Sequence, residues 1–225
     1  MTIIIGEAGV NHNGDIQTAK ELINVAKESG CDYVKFQTFA ASRQAKKDTK
    51  KALYQVNATG NTESHYEMLA RLELTKSMHI DLINYCKKVD IQFLSTGFDI
   101  ESVELLHELG IRLFKIPSGE ITNFPYLKKI AELNEKVILS TGMSTISDID
   151  QALKVLNRFG TRKDNISILH CTSAYPAEME DVNLNAMKNI GKEFDIDYGY
   201  SDHSNGIEIP IAAVALGAKI IEKHF

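Results

Sequence analysis

Eight short runs of β-branched and apolar residues recur along this chain, most of them followed by a stretch whose apolar positions fall at helical spacing. That alternation constrains the fold more than any other feature. The runs lie at 3–5 (ended by Gly6 to Gly9), 33–39, 91–98, 113–119, 137–142, 166–173, 196–203 and 220–225. Helical patterns lie at 16–30, from near Ile100, and at 125–133, 145–160, 182–194 and 206–217, with Asp15 reading as an N-cap. Alternating strands and helices imply a parallel sheet, and eight units fit a closed (β/α)8 TIM barrel better than an open doubly wound sheet. The open sheet also lacks its GxGxxG fingerprint after the first strand.

The expectation is therefore one barrel domain over residues 1–225, ending after its eighth strand, with the eighth helix absent. The face between the last and first helices should then expose apolar surface. Residues 40–75 break the rhythm as a long polar connection carrying Arg43, Lys46, Lys47, Lys50 and Lys51. Its length suits a lid, and its basic tract reads as a solvated helix face rather than a phosphate site.

Composition narrows the function classes. Hydrophobic residues at 44% and charged residues at 24% exclude disorder. Twenty-five Lys and Arg against 30 Asp and Glu give a net charge of −5, which argues against a nucleic-acid partner. Three scattered cysteines form no disulfide framework or CxxC pair, and neither a signal peptide nor a membrane span is visible. A cytoplasmic location without a membrane partner is the expectation.

In a barrel of this kind chemistry sits at the C-terminal ends of the strands, and here those ends are polar. They carry Glu7, Lys35 and Gln37, Thr96, Lys115 with Ser118 and Glu120, Ser140, Ser173 with Tyr175, Ser201 with His203, and Glu222 with His224. A lysine inside a parallel strand must find an anion or lose its charge. Lys35 and Lys115 are open to two readings: core pairs with Glu7 or Glu120, or the arms of an anion pocket for a phosphate-plus-carboxylate ligand. His203 and His224 end neighbouring strands, where two imidazoles can share a divalent metal or make ordinary polar contacts. His12 and His170 read as turn-orienting residues, and His65, His79 and His107 as surface residues. Cys171 and His170 are adjacent along a strand and point to opposite faces, so Cys171 reads as a buried small residue rather than a nucleophile. No GxSxG elbow supports a serine hydrolase.

Several blocks together resemble one family. EAGVNHNGD at 7–15, KFQTF at 35–39, KIPSGEITN at 115–123, ILSTGM at 138–143, LHCTSAYP at 169–176, GYSDHSNG at 199–206 and AAVALGAKIIEKHF at 212–225 are similar to the sialic acid synthases. The similarity covers the whole chain and leans to the bacterial N-acetylneuraminate synthase and legionaminic acid synthase branches. It implies a TIM barrel, followed in the family by an antifreeze-like domain, and a homodimer in the full-length form. It also implies condensation of phosphoenolpyruvate with an N-acetylmannosamine-type sugar, assisted by Mn2+ or Mg2+, to give N-acetylneuraminate and phosphate. The diacetamido sugar of the legionaminate route is the alternative acceptor.

Carried onto this chain, the resemblance makes His203 and His224 the metal ligands. Phosphoenolpyruvate would meet Lys35, Thr96, Lys115, Ser118, Ser140 and Ser201, with Ser173 where some members have Asn. The sugar would meet Gln37, Tyr175 and Asn61, and Glu120, with Glu7 second, would move protons. Gly97 stands where the family usually has Pro. A barrel that only binds ligand, and an aldolase forming a Schiff base on Lys35 or Lys115, are the competing readings.

Overall fold

Parallel pairing organises the molecule, whose computed structural model describes residues 1–51 and 63–225. In chain order the elements are β1 (Ile3–Gly9), α1 (Ile16–Glu28), β2 (Tyr33–Thr38), α2 (Ala41–Gln44), α3 (His65–Leu72), α4 (Lys76–Val89), β3 (Gln92–Gly97), α5 (Ile100–Glu108), β4 (Leu113–Ile116) and α6 (Phe124–Glu132). They continue with β5 (Lys136–Ser140), α7 (Ile146–Arg158), β6 (Ile166–Cys171), α8 (Leu184–Phe194), β7 (Asp197–Asp202), α9 (Glu208–Ala215) and β8 (Ile220–His224). The strands form one sheet in the order β3-β2-β1-β8-β7-β6-β5-β4, every hydrogen-bonded pair parallel. Strands β3 and β4 lie alongside each other and bring the ends together, so the sheet is a nearly closed (β/α)8 barrel, as the alternation implies.

Strand side chains alternate faces, and here the alternation sorts two apolar layers. Val34, Phe36, Phe93, Phe114, Leu139 and Ile168 point outward into one core shared with the helices, which supply Ile23, Leu82, Leu106, Ile130 and Leu156. Ile5, Leu94, Ile138, Leu169 and Ile220 point inward and form the barrel floor, with Tyr33 and Leu113 against them. Gly199 completes that floor for a steric reason: a Cβ there would lie 2.1 Å from the Ile220 carbonyl oxygen and 2.8 Å from Leu169 Cδ2.

Helix starts follow local chemistry. Asp15 accepts the Thr18 amide at 2.7 Å, the N-cap expected for α1. The expected strand over 113–119 is shorter: β4 stops at Ile116, and Ser118–Glu120 forms a 3-10 turn after Pro117. The connection over 40–75 is not wholly a loop. It holds α2 and α3, the latter opened by a Ser64–Glu67 capping box. Within its basic tract Arg43 pairs with Asp99 at 2.9 Å, and Lys46, Lys47 and Lys50 are solvent-exposed. Between α9 and α1 lies a groove of about 620 Å3 lined by Ile4, Ala26, Pro210, Ile211, Val214 and Phe225, the apolar face expected from the sequence. Among the described residues, no helix is long and apolar enough to cross a membrane.

His79 corrects its expectation as a surface residue. It is fully buried, because α4 turns its first-turn ring under the sheet. Its Nδ1–H donates to the Thr75 carbonyl at 2.9 Å, so Nε2 accepts from the Thr38 hydroxyl at 2.7 Å, and Thr38 in turn meets Ser95 at 2.7 Å. His12 is also fully buried, and its Nδ1 accepts the Gly14 amide at 3.0 Å, the turn role expected of it. Burial pushes the His12 imidazole down to about 4, with His79 adding to that and Asp15 opposing it. An imidazole held below its unfolded value of 6.5 contributes fully to stability above pH 6.5, and that contribution is lost as pH falls to about 4. Urea midpoints should therefore drop across that window. His12→Asn, which keeps an acceptor for the Gly14 amide, should remove about 3 kcal/mol of the loss. An unchanged pH profile in the variant would show that His12 carries none of it.

Candidate functional site at the barrel mouth

The site follows from the two-residue period of the strands. Two positions beyond the apolar floor, each strand turns its next side chain inward. Those residues are Glu7, Lys35, Thr96, Lys115, Ser140, Cys171, Ser201 and Glu222, all buried. Seven are polar or charged, and the strand pairing sets Glu7 beside Lys35 and Ser201 beside Glu222.

Their contacts form one connected network. Lys35 Nζ lies 2.5 Å from Glu7 Oε2 and 3.7 Å from Glu222 Oε2, and it donates to Thr96 Oγ1 at 3.0 Å. Lys115 Nζ sits on both oxygens of Glu222, at 2.7 and 2.9 Å. The Ser201 hydroxyl donates to Glu222 Oε1 at 2.8 Å, and Gln37 Nε2 donates to Glu7 Oε1 at 3.5 Å. Burial alone would raise the Glu222 carboxyl, but Lys115 and Lys35 outweigh it and hold the group well below the usual carboxylate range. Burial likewise opposes the Lys35 charge, and Glu222 and Glu7 overcome it and raise the ammonium above its ordinary value. Burial raises Glu7 against the pull of Lys35.

Lys35 thus meets Glu7, one of the two core partners expected, whereas Lys115 meets Glu222 rather than Glu120. Glu120 stands apart from the lysines: half-buried in its 3-10 turn, it accepts from Asn123 Nδ2 at 2.6 Å. Glu222 was legible as a strand end but not as a member of the site. The signal that finds it is its phase, two residues past Ile220 and two before His224, the same phase as Lys35 and Lys115 in their strands.

Above this layer the walls are donors and rings. Among the described residues the buried Ser140 hydroxyl has no hydrogen-bond partner. Gly142, at φ +46°, brings two other hydroxyls close: a Cβ there would lie 2.6 Å from Ser118 Oγ and 2.8 Å from Ser173 Oγ. His203 and His224 have ring centroids 5.6 Å apart, and Tyr175 lies against them at 4.2 and 5.9 Å. The His203 Nδ1–H donates to the Thr172 carbonyl at 2.7 Å, which turns the Nε2 lone pair outward. Burial lowers the His203 pKa, and partial removal from water with Lys35 nearby lowers that of His224, so both favour the neutral form that ligates metals. The pair fits a divalent cation held through two nitrogens. Among the described residues no cluster of three or more His, Cys, Asp or Glu is arranged to hold one. Cys171 is buried and its thiol is pushed up by burial, in keeping with a packing role. Asn61 lies outside the described residues.

A buried ion pair is costly to break from one side. Lys115→Met should destabilise the fold by about 3 kcal/mol, because it strips Glu222 of its closest cation. Adding Glu222→Leu to Lys115→Met should recover most of that loss in urea denaturation. Simple additivity of the two single losses would show that the pair is not coupled.

Comparisons with known proteins identify the family. The NeuB family profile matches residues 22–225. N,N'-diacetyllegionaminic acid synthase from Campylobacter jejuni is 57% identical over 224 residues, covering 100% of this chain and 67% of its own length. The Legionella pneumophila protein of the same name is 48% identical, over 99% of this chain and 63% of its length. The crystal structure of N-acetylneuraminic acid (sialic acid) synthetase from Leptospira borgpetersenii, in complex with citrate, superposes with a TM-score of 0.86 at 33% identity, over 100% of this chain and 73% of that one. The chain spans about two thirds of the length of the two curated relatives. It belongs to the NeuB family.

Proposed function

We propose that this barrel condenses phosphoenolpyruvate with an N-acetylated amino sugar, and that the acceptor is the 2,4-diacetamido-2,4,6-trideoxymannose of the legionaminate route. The observation that carries the reading is the buried polar layer. It holds two ammoniums and several hydroxyls, one of them on Ser140 without a partner among the described residues, at the end of the barrel where substrates bind. The choice of acceptor rests on the relatives at 57% and 48% identity, both diacetyllegionaminic acid synthases, against 33% for the sialic acid synthetase. N-acetylmannosamine, the first acceptor expected from the sequence, becomes the second reading.

In this reading Lys35, Thr96, Lys115, Ser140 and Ser201 neutralise and orient the phosphate and carboxylate of phosphoenolpyruvate, with Ser118 and Ser173 above them. Gln37, Tyr175 and Asn61 hold the sugar. The C3 methylene of phosphoenolpyruvate attacks the aldehyde carbon, water adds at C2, and the C2–O bond to phosphate then breaks. Glu120 moves the protons, since Glu7 is already tied to Lys35 whereas Glu120 accepts from a neutral amide, that of Asn123. A divalent cation, Mn2+ or Mg2+, on His203 and His224 would act as a Lewis acid on the aldehyde oxygen. A Schiff-base aldolase fits less well, because its amine must be neutral and the Glu7 and Glu222 carboxylates hold Lys35 charged. Homodimer assembly and a cytoplasmic setting belong to the same proposal.

Phosphate release from phosphoenolpyruvate in Mn2+ tests the reading. The diacetamido sugar should give a kcat/KM about tenfold or more above that of N-acetylmannosamine. The reverse order would overturn the acceptor, and no release with either sugar would overturn the synthase reading. Glu120→Gln should bind phosphoenolpyruvate normally and lose about 100-fold or more in kcat.

A further inference from the structure

Glu222 is a charged group at the centre of the network for which the proposed condensation has no step. It sits on both lysines and on the Ser201 hydroxyl, and its side chain is 7% exposed. We propose that Glu222 is a specificity residue of the anion pocket, a tethered carboxylate that a ligand must outcompete at both ammoniums. The proposal rests on the reading that Lys35 and Lys115 hold the anionic substrate.

Competition for the ammoniums decides which ligand enters. A carboxylate fixed to β8 acts on the ammoniums at high effective concentration and has already lost its water. A ligand with a single anionic group must shed its own hydration, and at best it replaces the one carboxylate that already meets both ammoniums. A ligand with two separated anionic groups can engage Lys35 and Lys115 at once. It can also use donors that Glu222 leaves unused, above all the Ser140 hydroxyl. Glu222 thereby sets a threshold: phosphoenolpyruvate passes it, while pyruvate and inorganic phosphate, each with half of its charged groups, do not.

Equilibrium binding without sugar tests this, using phosphoenolpyruvate, pyruvate and inorganic phosphate as probes. The unaltered protein should hold phosphoenolpyruvate about 100-fold more tightly than pyruvate. Glu222→Gln keeps the side-chain shape and removes the competing charge. It should bind inorganic phosphate and pyruvate about tenfold more tightly, which narrows the discrimination. A residue needed only for folding would lose affinity for all three. Phosphate affinity unchanged or weakened in folded Glu222→Gln, checked by circular dichroism, overturns the proposal. Should that variant fail to fold, the unaltered protein decides: pyruvate bound within about threefold of phosphoenolpyruvate overturns it equally. Lys115→Met separates the two levels of inference. Lost phosphoenolpyruvate binding there, with no gain in Glu222→Gln, sinks the role of Glu222 alone. Unchanged phosphoenolpyruvate binding in both variants sinks the anion-pocket reading with it.

Discussion

The structure depends on a carboxylate that two lysines share. Charges buried in a barrel must be matched or they unfold it. Glu222 meets Lys115 with both oxygens and approaches Lys35, while Glu7 closes the other side of Lys35. This chain of alternating sign lets a parallel barrel carry ammoniums through its middle. Beneath it the floor of Ile5, Leu94, Ile138, Leu169 and Ile220 supplies ordinary hydrophobic cohesion, so charge and cohesion occupy separate levels of one cylinder.

Much of this was legible because strand geometry is a strict two-residue rhythm. The apolar floor and the polar layer above it occupy alternate positions in the same strands, and the eight runs mark both. Lys35, Lys115, Ser140 and Ser201 could be found from that rhythm and from the blocks shared with the sialic acid synthases. The partner of Lys115 could not. Pairing a side chain on β4 with one on β8 depends on how the cylinder closes, and Glu120, close in sequence, was the nearer choice on the page. In three dimensions Pro117 and the 3-10 turn carry Glu120 away from the lysines.

His79 shows a second limit. Its position near a helix start, with polar neighbours, reads as surface. What buries it is the packing of α4 against β3, which brings its ring to the Thr38 hydroxyl, itself bonded to Ser95. Helix periodicity identifies the buried side of a helix but not which polar residues the neighbouring strands can serve. The helix α3 was hidden for a related reason: it is short and lies in a connection that reads as polar, and the packing of Met68 and Leu72 on Phe39 sustains it rather than propensity.

The layering has a consequence for how such barrels diversify. The buried charged groups are deep and lean on one another, so a change to one disturbs several. Tyr175 and Met143 stand higher, in the loops after β6 and β5, and are exposed. Substitutions there can reshape the rim without touching the charges below. A barrel built this way can change its rim while its deep layer stays constant, because the two stand at different heights.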